Sequence, residues 1–454
     1  MYLLQRMYML VLTPAYSFIS CLDEKVRESV LSFSIHCIIF NMFMYTAWDA
    51  LGISVGYAEL LIVNTFFLGV VILFSIKGSL KKVNWNGWIV YPWIMCCILI
   101  LLSGVHHNIT SALMFATCVM LFVFPCLYFV WNNRGDYETL YLKTAKATIN
   151  VLLVYIAVHL IFFPIIEGTA YYGIAINPNS NGLLGTAGVI SSLYLIMMVG
   201  NKKILWLHYL SLGIAFALAY ISASRASFIA MVMAFVCFCI CIIRLKKQEN
   251  KIKEGFITIL VILIIVCLST SVLNMFLENV TPRIKEGIIN HMIAEASTED
   301  EELEDKDSSI SDKFNRGDDL NSISSGRIVI WKAYLSELNL IGNERGDHGL
   351  YVAYTGKYLS AHNSYIEIAY RSGIFAGLLY AYIALYAAVY SFKGLFGKKM
   401  FEYKMTIIPM AIMAFGVLSN LERALYPLEK VHILFFFLAF GPMFVNNKQK
   451  KLVD

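Results

Sequence analysis

Two arginines and a histidine stand where an otherwise apolar chain has little use for them. Arg225 lies in Ile221-Ser222-Ala223-Ser224-Arg225-Ala226-Ser227, a tight link that splits a 41-residue apolar stretch. Charge at the rim of a membrane span is by default a functional candidate. Ser224 is placed to cap the helix that follows, the first amides of that helix are free to face an anion, and the Arg225 guanidinium adds a bidentate fork, so the link suits a phosphate. Snorkelling of Arg225 to lipid headgroups is an equal alternative for that residue taken alone. Arg327 opens a short periodic stretch and, in isolation, reads as a solvated charge. His362 precedes Asn363 and Ser364-x-x-Glu367, a pattern read as a capping box that starts a span and holds the imidazole at the membrane surface. A histidine so placed can act as a general base near neutral pH. A lone histidine there is more often only a polar interface residue, and the surrounding motif has to decide.

The elements that position these groups follow from composition. Of 454 residues, 59% are hydrophobic and 15% charged, and repeated uncharged runs each suffice to cross a hydrocarbon core about 30 Å thick. The runs are continuous and not alternating, so the fold class is all-α: a polytopic integral membrane protein and not a barrel. About twelve spans are expected, near 30–48, 57–76, 88–106, 111–131, 149–166, 182–200, 204–222, 226–244, 256–276, 365–392, 405–422 and 429–445. Residues 1–276 therefore carry nine spans, 277–363 one long polar loop, and 364–454 three spans and a basic tail. A weaker apolar stretch, Met9 to Cys21, lies flat in the interface or crosses, and shows no cleavage site of a removed signal.

Basic residues near span ends stay on the cytoplasmic side. With the amino terminus inside, the inner segments hold 23 Lys and Arg against three in the short outer links, Arg225, Arg423 and Lys430. Both termini are thus expected in the cytoplasm and the long loop outside it, in a multi-pass protein of the cell membrane. The net charge of +5 is a topology signal and carries no implication of nucleic acid. All ten cysteines lie in or beside apolar spans and none in the loop, so no disulfide framework is expected there.

Within the loop, Glu295 to Asp307 holds eight carboxylates and one basic residue, Lys306, and the polar run continues to Asp319. Self-repulsion and lack of apolar residues predict a disordered insert or solvated flap over 295–319. Asp305-Lys306-Asp307 resembles a two-carboxylate metal motif, but inside an acidic run the match is close to chance. Order is expected again over 324–363. Ser324 and Ser325 are available to cap a helix from Arg327, with Ile328, Trp331, Leu335 and Leu338 on one face and Trp331 and Tyr334 at headgroup level. An irregular loop is expected over Gly342 to Gly356.

Four motifs then stand in order around one large outer loop. They are Asn177-Pro178-Asn179-Ser180-Asn181-Gly182, Ser224-Arg225, Ser325-Gly326-Arg327 with Trp331, and His362-Asn363-Ser364-Tyr365 leading into Gly373-Ile374-Phe375-Ala376-Gly377. In order, type and topology the set resembles the O-antigen ligase and polymerase family, over roughly Tyr171 to Leu379. The resemblance implies a metal-independent glycosyltransferase without cofactor, acting on polyprenyl-diphosphate-linked oligosaccharide at the extracytoplasmic face. It implies that Arg225 and Arg327 bind the donor diphosphate and that His362 activates the acceptor hydroxyl, with Asn363, Tyr365, Asn177 and Asn181 as further substrate contacts. The implied partners are the lipid-linked donor, a glycan or lipid acceptor, the bilayer, and flippase and chain-length regulator proteins. Elementary chemistry agrees: a departing diphosphate needs fixed positive charge, and an attacking hydroxyl needs a base within hydrogen-bond reach. Displacement by one nucleophile inverts the anomeric carbon.

The acidic insert falls outside the family pattern, and Asn339-Leu340-Ile341-Gly342-Asn343-Glu344 stands where that family often has a Pro-x-x-Gly-x-Gly turn. Arg345, Lys357, Arg371, Arg423 and His432 are secondary candidates for glycan or phosphate contacts. The competing class is a polysaccharide flippase or other twelve-span carrier. It calls for two similar halves and polar sites near the membrane midplane. No halfway repeat is visible, and most span interiors lack ionisable residues apart from His36, Glu59, His159 and His208. Of polymerase and ligase, the reading leans to polymerase of an O-antigen, capsule or exopolysaccharide repeat.

Overall fold

The computed structural model describes residues 2–45, 47–48, 53–108, 111–167, 170–175, 177–198, 202–295, 326–344, 349–352, 357–397, 401–422 and 426–446. The expectations for 296–319, Ser324, Ser325, Arg345 and Arg423 lie outside the described residues. The helices in order are α1 (Tyr2–Ile19), α2 (Glu24–Met44), α3 (Tyr57–Phe74), α4 (Gly87–His106), α5 (Ser111–Cys118), which continues through a π-helical turn (Val119–Val123) into α6 (Phe124–Arg134), and α7 (Tyr137–Phe162). Then come α8 (Pro178–Met198), α9 (Lys202–Ile221), α10 (Arg225–Gln248) and α11 (Ile252–Glu295). After these stand α12 (Arg327–Ser336), α13 (Ser364–Ser372), α14 (Ile374–Phe396), α15 (Ile407–Leu421) and α16 (Val431–Ala439). Two antiparallel hairpins are the strands among the described residues: β1 (Ile166–Glu167) with β2 (Ala170–Tyr171), and β3 (Leu350–Val352) with β4 (Lys357–Leu359).

The class is as expected: an all-helical polytopic membrane protein. Among the described residues ten helices are long and apolar enough to cross a membrane, where about twelve were expected. The two that fall short are the first and the last. Helix α2 carries Glu24, Lys25, Arg27 and Glu28 in its opening turns, and the final apolar segment, Val431–Phe444, is too short. Two boundaries also differ. The helix expected to end near 276 runs on to Glu295, and it is held past that point where Thr281 Oγ1 donates to the Pro164 carbonyl at 3.0 Å and accepts from the Ile166 amide at 3.3 Å. The span expected over 365–392 is two helices, broken at Gly373. Its φ is +92°, and a Cβ there would meet the Leu340 carbonyl oxygen at 2.2 Å, so only glycine admits both the left-handed turn and the close approach.

Helix α8 is the buried centre of the bundle, packed against α7, α9 and α10. Its Gly182, Gly185 and Gly188 face the serine turn before α10, Ala215 and Ala219 of α9, and Leu152 of α7, with no room for side chains. In a membrane, where lipid is as apolar as leucine, small residues that let backbones approach supply helix association. The bundle has two distinct ends. Arg244 near the end of α10 donates to the Leu395 and Gly397 carbonyls at the end of α14, and Tyr194 late in α8 donates to the Lys404 carbonyl before α15. The opposite ends of those helices therefore lie together: the start of α8, Arg225, the start of α14 and the end of α15.

Candidate functional site

At that second end, α12 and α13 lie over the mouth of the bundle. Helix α12 starts behind Gly326, which takes a left-handed conformation at the N-cap position and makes no side-chain cap. Its inward face is not the one expected. Ile330 and Tyr334 are buried and Leu335 is exposed. Tyr334, expected at headgroup level, is enclosed: its hydroxyl donates to the Leu359 carbonyl at 2.6 Å and accepts from the Leu350 amide at 3.0 Å. The stretch expected to be wholly irregular contains the β3–β4 hairpin on which Tyr334 rests. Asn339 replaces the missing proline turn by chemistry of its own, its Oδ1 accepting from the amides of Ile341 and Gly342.

Helix α13 begins one residue earlier in function than the capping box implies. Asn363, and not Ser364, is the cap, with Oδ1 accepting from the Tyr365 and Ile366 amides at 3.0 and 3.1 Å. Glu367 does not reach back to a capping amide of its own turn. Fully buried, it accepts from the Ala361 amide at 2.7 Å and from Arg371 Nε at 2.7 Å. Asn363 and Ser364 donate to the carbonyls of Asn420 and Glu422, and Tyr365 shares a 2.8 Å bond with Ser419. These bonds stitch the start of α13 to the end of α15.

The carboxylate of Glu422, in the link after α15, joins two of the expected site residues. Arg327 Nη2 donates to Oε1 at 2.8 Å, and His362 Nδ1 stands 3.4 Å from Oε2. Burial alone would push the Glu422 carboxyl up, but the His362 bond and the positive charges of Arg327, His362 and Lys430 outweigh it and hold the pKa below the ordinary carboxylate value. With the carboxylate on Nδ1, the neutral ring carries its proton there and turns Nε2 outward as an acceptor. His362 is more than a third exposed, so that nitrogen is approachable.

Arg225 opens α10 at the same end of the bundle, half-buried behind Ala223 at φ +51°. Ser224 occupies the N-cap position, but its hydroxyl bonds Ser227 Oγ at 3.0 Å and caps no amide. Asn177 is exposed and fixes the start of α8 through the Asn179 amide at 2.9 Å. Asn181 is fully buried, with its carboxamide accepting from the Tyr155 hydroxyl and donating to the carbonyls of Tyr171 and Tyr172. Among the secondary candidates, Arg371 pairs with Glu367 and His432 is buried at the start of α16.

Beside the stitched helix ends, a groove of about 560 Å³ runs among α10, α14, α15 and α16, lined by Met233, Ala384, Met413 and Gly416 with Tyr365 and Asn420 as polar residues. Its lining includes Asn420 and Leu421, the residues just before Glu422 in the chain.

Sequence reasoning missed Glu422 and Lys430. The signal was present: a glutamate followed by an arginine, in a short link between apolar spans, satisfies the same rule that singled out Arg225.

The all-helical bundle, with ten helices long and apolar enough to cross a membrane among its described residues, is that of a polytopic membrane protein, and it carries an Arg–Glu–His cluster at one end. Residues 210–381 match the family model described as O-antigen ligase, Wzy_C, which supports assignment of the chain to the O-antigen ligase and polymerase family. The matched region contains Arg225, Arg327, His362, Asn363 and Tyr365, while Asn177, Asn181 and Glu422 lie outside it. No curated protein matches the chain.

Proposed function

We propose that this protein is a glycosyltransferase that extends polysaccharide by transferring glycan from a polyprenyl-diphosphate donor to an acceptor hydroxyl at the outer face of the plasma membrane. The observation that carries this reading is the junction of Arg327 and His362 on Glu422, a cation and a base held by one carboxylate. Arg327 and Arg225 take the donor diphosphate and oppose the charge that develops as it leaves, without a metal or cofactor. The acceptor oxygen attacks the anomeric carbon, the bond from that carbon to the phosphate oxygen breaks, and the hydroxyl proton passes to His362 Nε2. The product is inverted. Glu422 keeps the imidazole in the tautomer that accepts at Nε2 and stabilises it once protonated. Asn363 and Tyr365 hold this geometry from α13, and Asn177 and Asn181 border the Arg225 side.

The apolar groove lined by Asn420 and Leu421, next to Glu422 in the chain, favours a donor with a hydrocarbon tail over a soluble nucleotide sugar. Among the described residues the ion-pair clusters stand at the two ends of the bundle and not at its middle, which favours transfer over carriage. We favour polymerase over ligase, with another lipid-linked repeat as acceptor and flippase and chain-length regulator proteins as neighbours.

The test is elongation of purified, lipid-linked repeat units by the reconstituted protein in the presence of a chelator. Longer inverted glycan is the expected product; activity that disappears with chelator and returns with a divalent ion contradicts the metal-free chemistry.

A further inference from the structure

His362 has φ +48°, a left-handed conformation that side chains with a Cβ seldom adopt and that persists only where neighbours enforce it. The neighbours that enforce it can be named. On the amino-terminal side Ala361 is fully buried and held through both of its peptide groups. Its amide donates to Glu367 Oε2 at 2.7 Å, and its carbonyl accepts from Trp331 Nε1 at 2.8 Å. Neither holder is loose. Glu367 is enclosed and its other oxygen is tied to Arg371 Nε at 2.7 Å, and Trp331 belongs to α12, whose Tyr334 is locked to the β3–β4 hairpin. On the carboxyl-terminal side Asn363 is fixed as the cap of α13. One residue is left to turn the chain between two clamped ones, and that residue is His362.

We infer that Glu367 and Trp331 are positioning residues, which pin Ala361 so that His362 is forced into the left-handed conformation from which its ring reaches Glu422. The inference rests on His362 being the base of the proposed transfer. The side-chain hydrogen bonds of the two pins go to Ala361 and Arg371 and not to the Arg327–Glu422 pair. Releasing either pin lets His362 relax to negative φ and turns the imidazole away, while the cation that holds the diphosphate stays in place. Turnover therefore falls and donor affinity does not.

The experiment uses the full chain reconstituted in phospholipid vesicles. Its first arm reads no activity. Glycine exceeds alanine in stability at a position of positive φ, because alanine's Cβ is strained there. The thermal midpoint of His362→Gly should exceed that of His362→Ala in the parent, and this difference should vanish or reverse when Trp331→Phe or Glu367→Gln is added. The second arm measures extension. Trp331→Phe, which keeps an aromatic ring and loses the N–H donor together with the pyrrole half of the indole, should lower kcat by about tenfold to a hundredfold through misplacement of the base, with KM for the lipid-linked repeat within about twofold. An undiminished Gly-over-Ala difference in the Trp331→Phe background, or an unchanged kcat there, overturns the inference, and this holds even where Glu367→Gln fails to fold. If His362→Ala itself extends glycan at the parent rate, the transfer mechanism falls and the claim that the pins serve the base falls with it; the midpoints then still report the pinning. Parent-like midpoint differences with a dead His362→Ala overturn the pinning alone.

Discussion

At one end of the bundle Glu28 meets Arg134 at 3.0 Å, Lys143 at 3.2 Å and Lys77 at 3.7 Å; at the other Glu422 meets Arg327 at 2.8 Å and His362 at 3.4 Å. Each cluster gathers cations around one glutamate, and in both the carboxyl is held below its ordinary pKa, against burial, by those cations. What surrounds them differs. Arg134 is 1% exposed, lies over the Trp131 ring, and donates to the Ser75 carbonyl where α3 ends; it ties α2, α3, α6 and α7 together. Arg327 and His362 belong to elements outside the span bundle, the histidine is in a left-handed conformation, and an apolar groove continues from the same helix end. A cluster of charge is therefore no mark of chemistry. Backbone strain, an approachable base and an adjoining groove are what separate the two.

Substitutions should divide along that line. Arg327→Ala is expected to lower kcat/KM for the lipid-linked donor by roughly a thousandfold per folded molecule, beyond the cost in thermal midpoint of leaving Glu422 with one partner fewer, as radiolabelled repeat transfer and a melting curve on the same preparation would record. Arg134→Ala should cost stability alone. It leaves Glu28 short of its buried partner and costs about 3 kcal/mol of stability, while the folded fraction transfers at the parent rate; a loss of turnover without a loss of midpoint would erase the distinction between the two ends. Glu422→Gln keeps the shape and loses the charge, and turnover should fall by about a hundredfold or less, because His362 is less firmly oriented. Full activity in that variant would remove Glu422 from the site.

The smallest effect is in pH. A carboxyl whose folded pKa lies below its unfolded value of about 4.3 contributes stability above that value, and the contribution is lost as pH falls through the depressed folded pKa. The midpoint of the parent should thus change little from neutrality to about pH 5 on account of Glu28 and Glu422, then fall. Carrying Glu28→Gln and Glu422→Gln together should flatten that acid drop, and an equally steep drop in the double variant would show that other carboxyls carry it.

Much of the architecture was legible because hydrocarbon selects so strongly. A chain in lipid must satisfy its backbone internally, so ten of the expected spans reappear as helices. Hydropathy is blind, however, to what a helix does after it leaves the apolar layer. The run of α11 to Glu295 depends on Thr281 meeting the backbone at Pro164 and Ile166, a contact between distant residues that no local pattern contains. The break at Gly373 was hidden for a related reason. Nothing local marks a break where the sequence passes from Arg371 and Ser372 to Ile374 and Phe375, and only the approach of Leu340 makes glycine necessary. Of the site, Arg225, Arg327 and His362 could be singled out because charge is rare in this chain, and the matched family region spans all three. Glu422 was passed over as one charge of a short link, and Glu367 was read as half of a capping box because its spacing from Ser364 fits one. Its real partners, Ala361 and Arg371, lie six and four residues away, and burial decides among them.

The most direct measurement is the length distribution of glycan made in vesicles from a single purified lipid-linked repeat, by the parent and by His362→Ala inserted to the same level. The parent should produce a ladder of inverted oligomers, and His362→Ala should fall by a factor of about a hundred to ten thousand, leaving the starting repeat. A full ladder from His362→Ala would contradict transfer by this base at this end of the bundle.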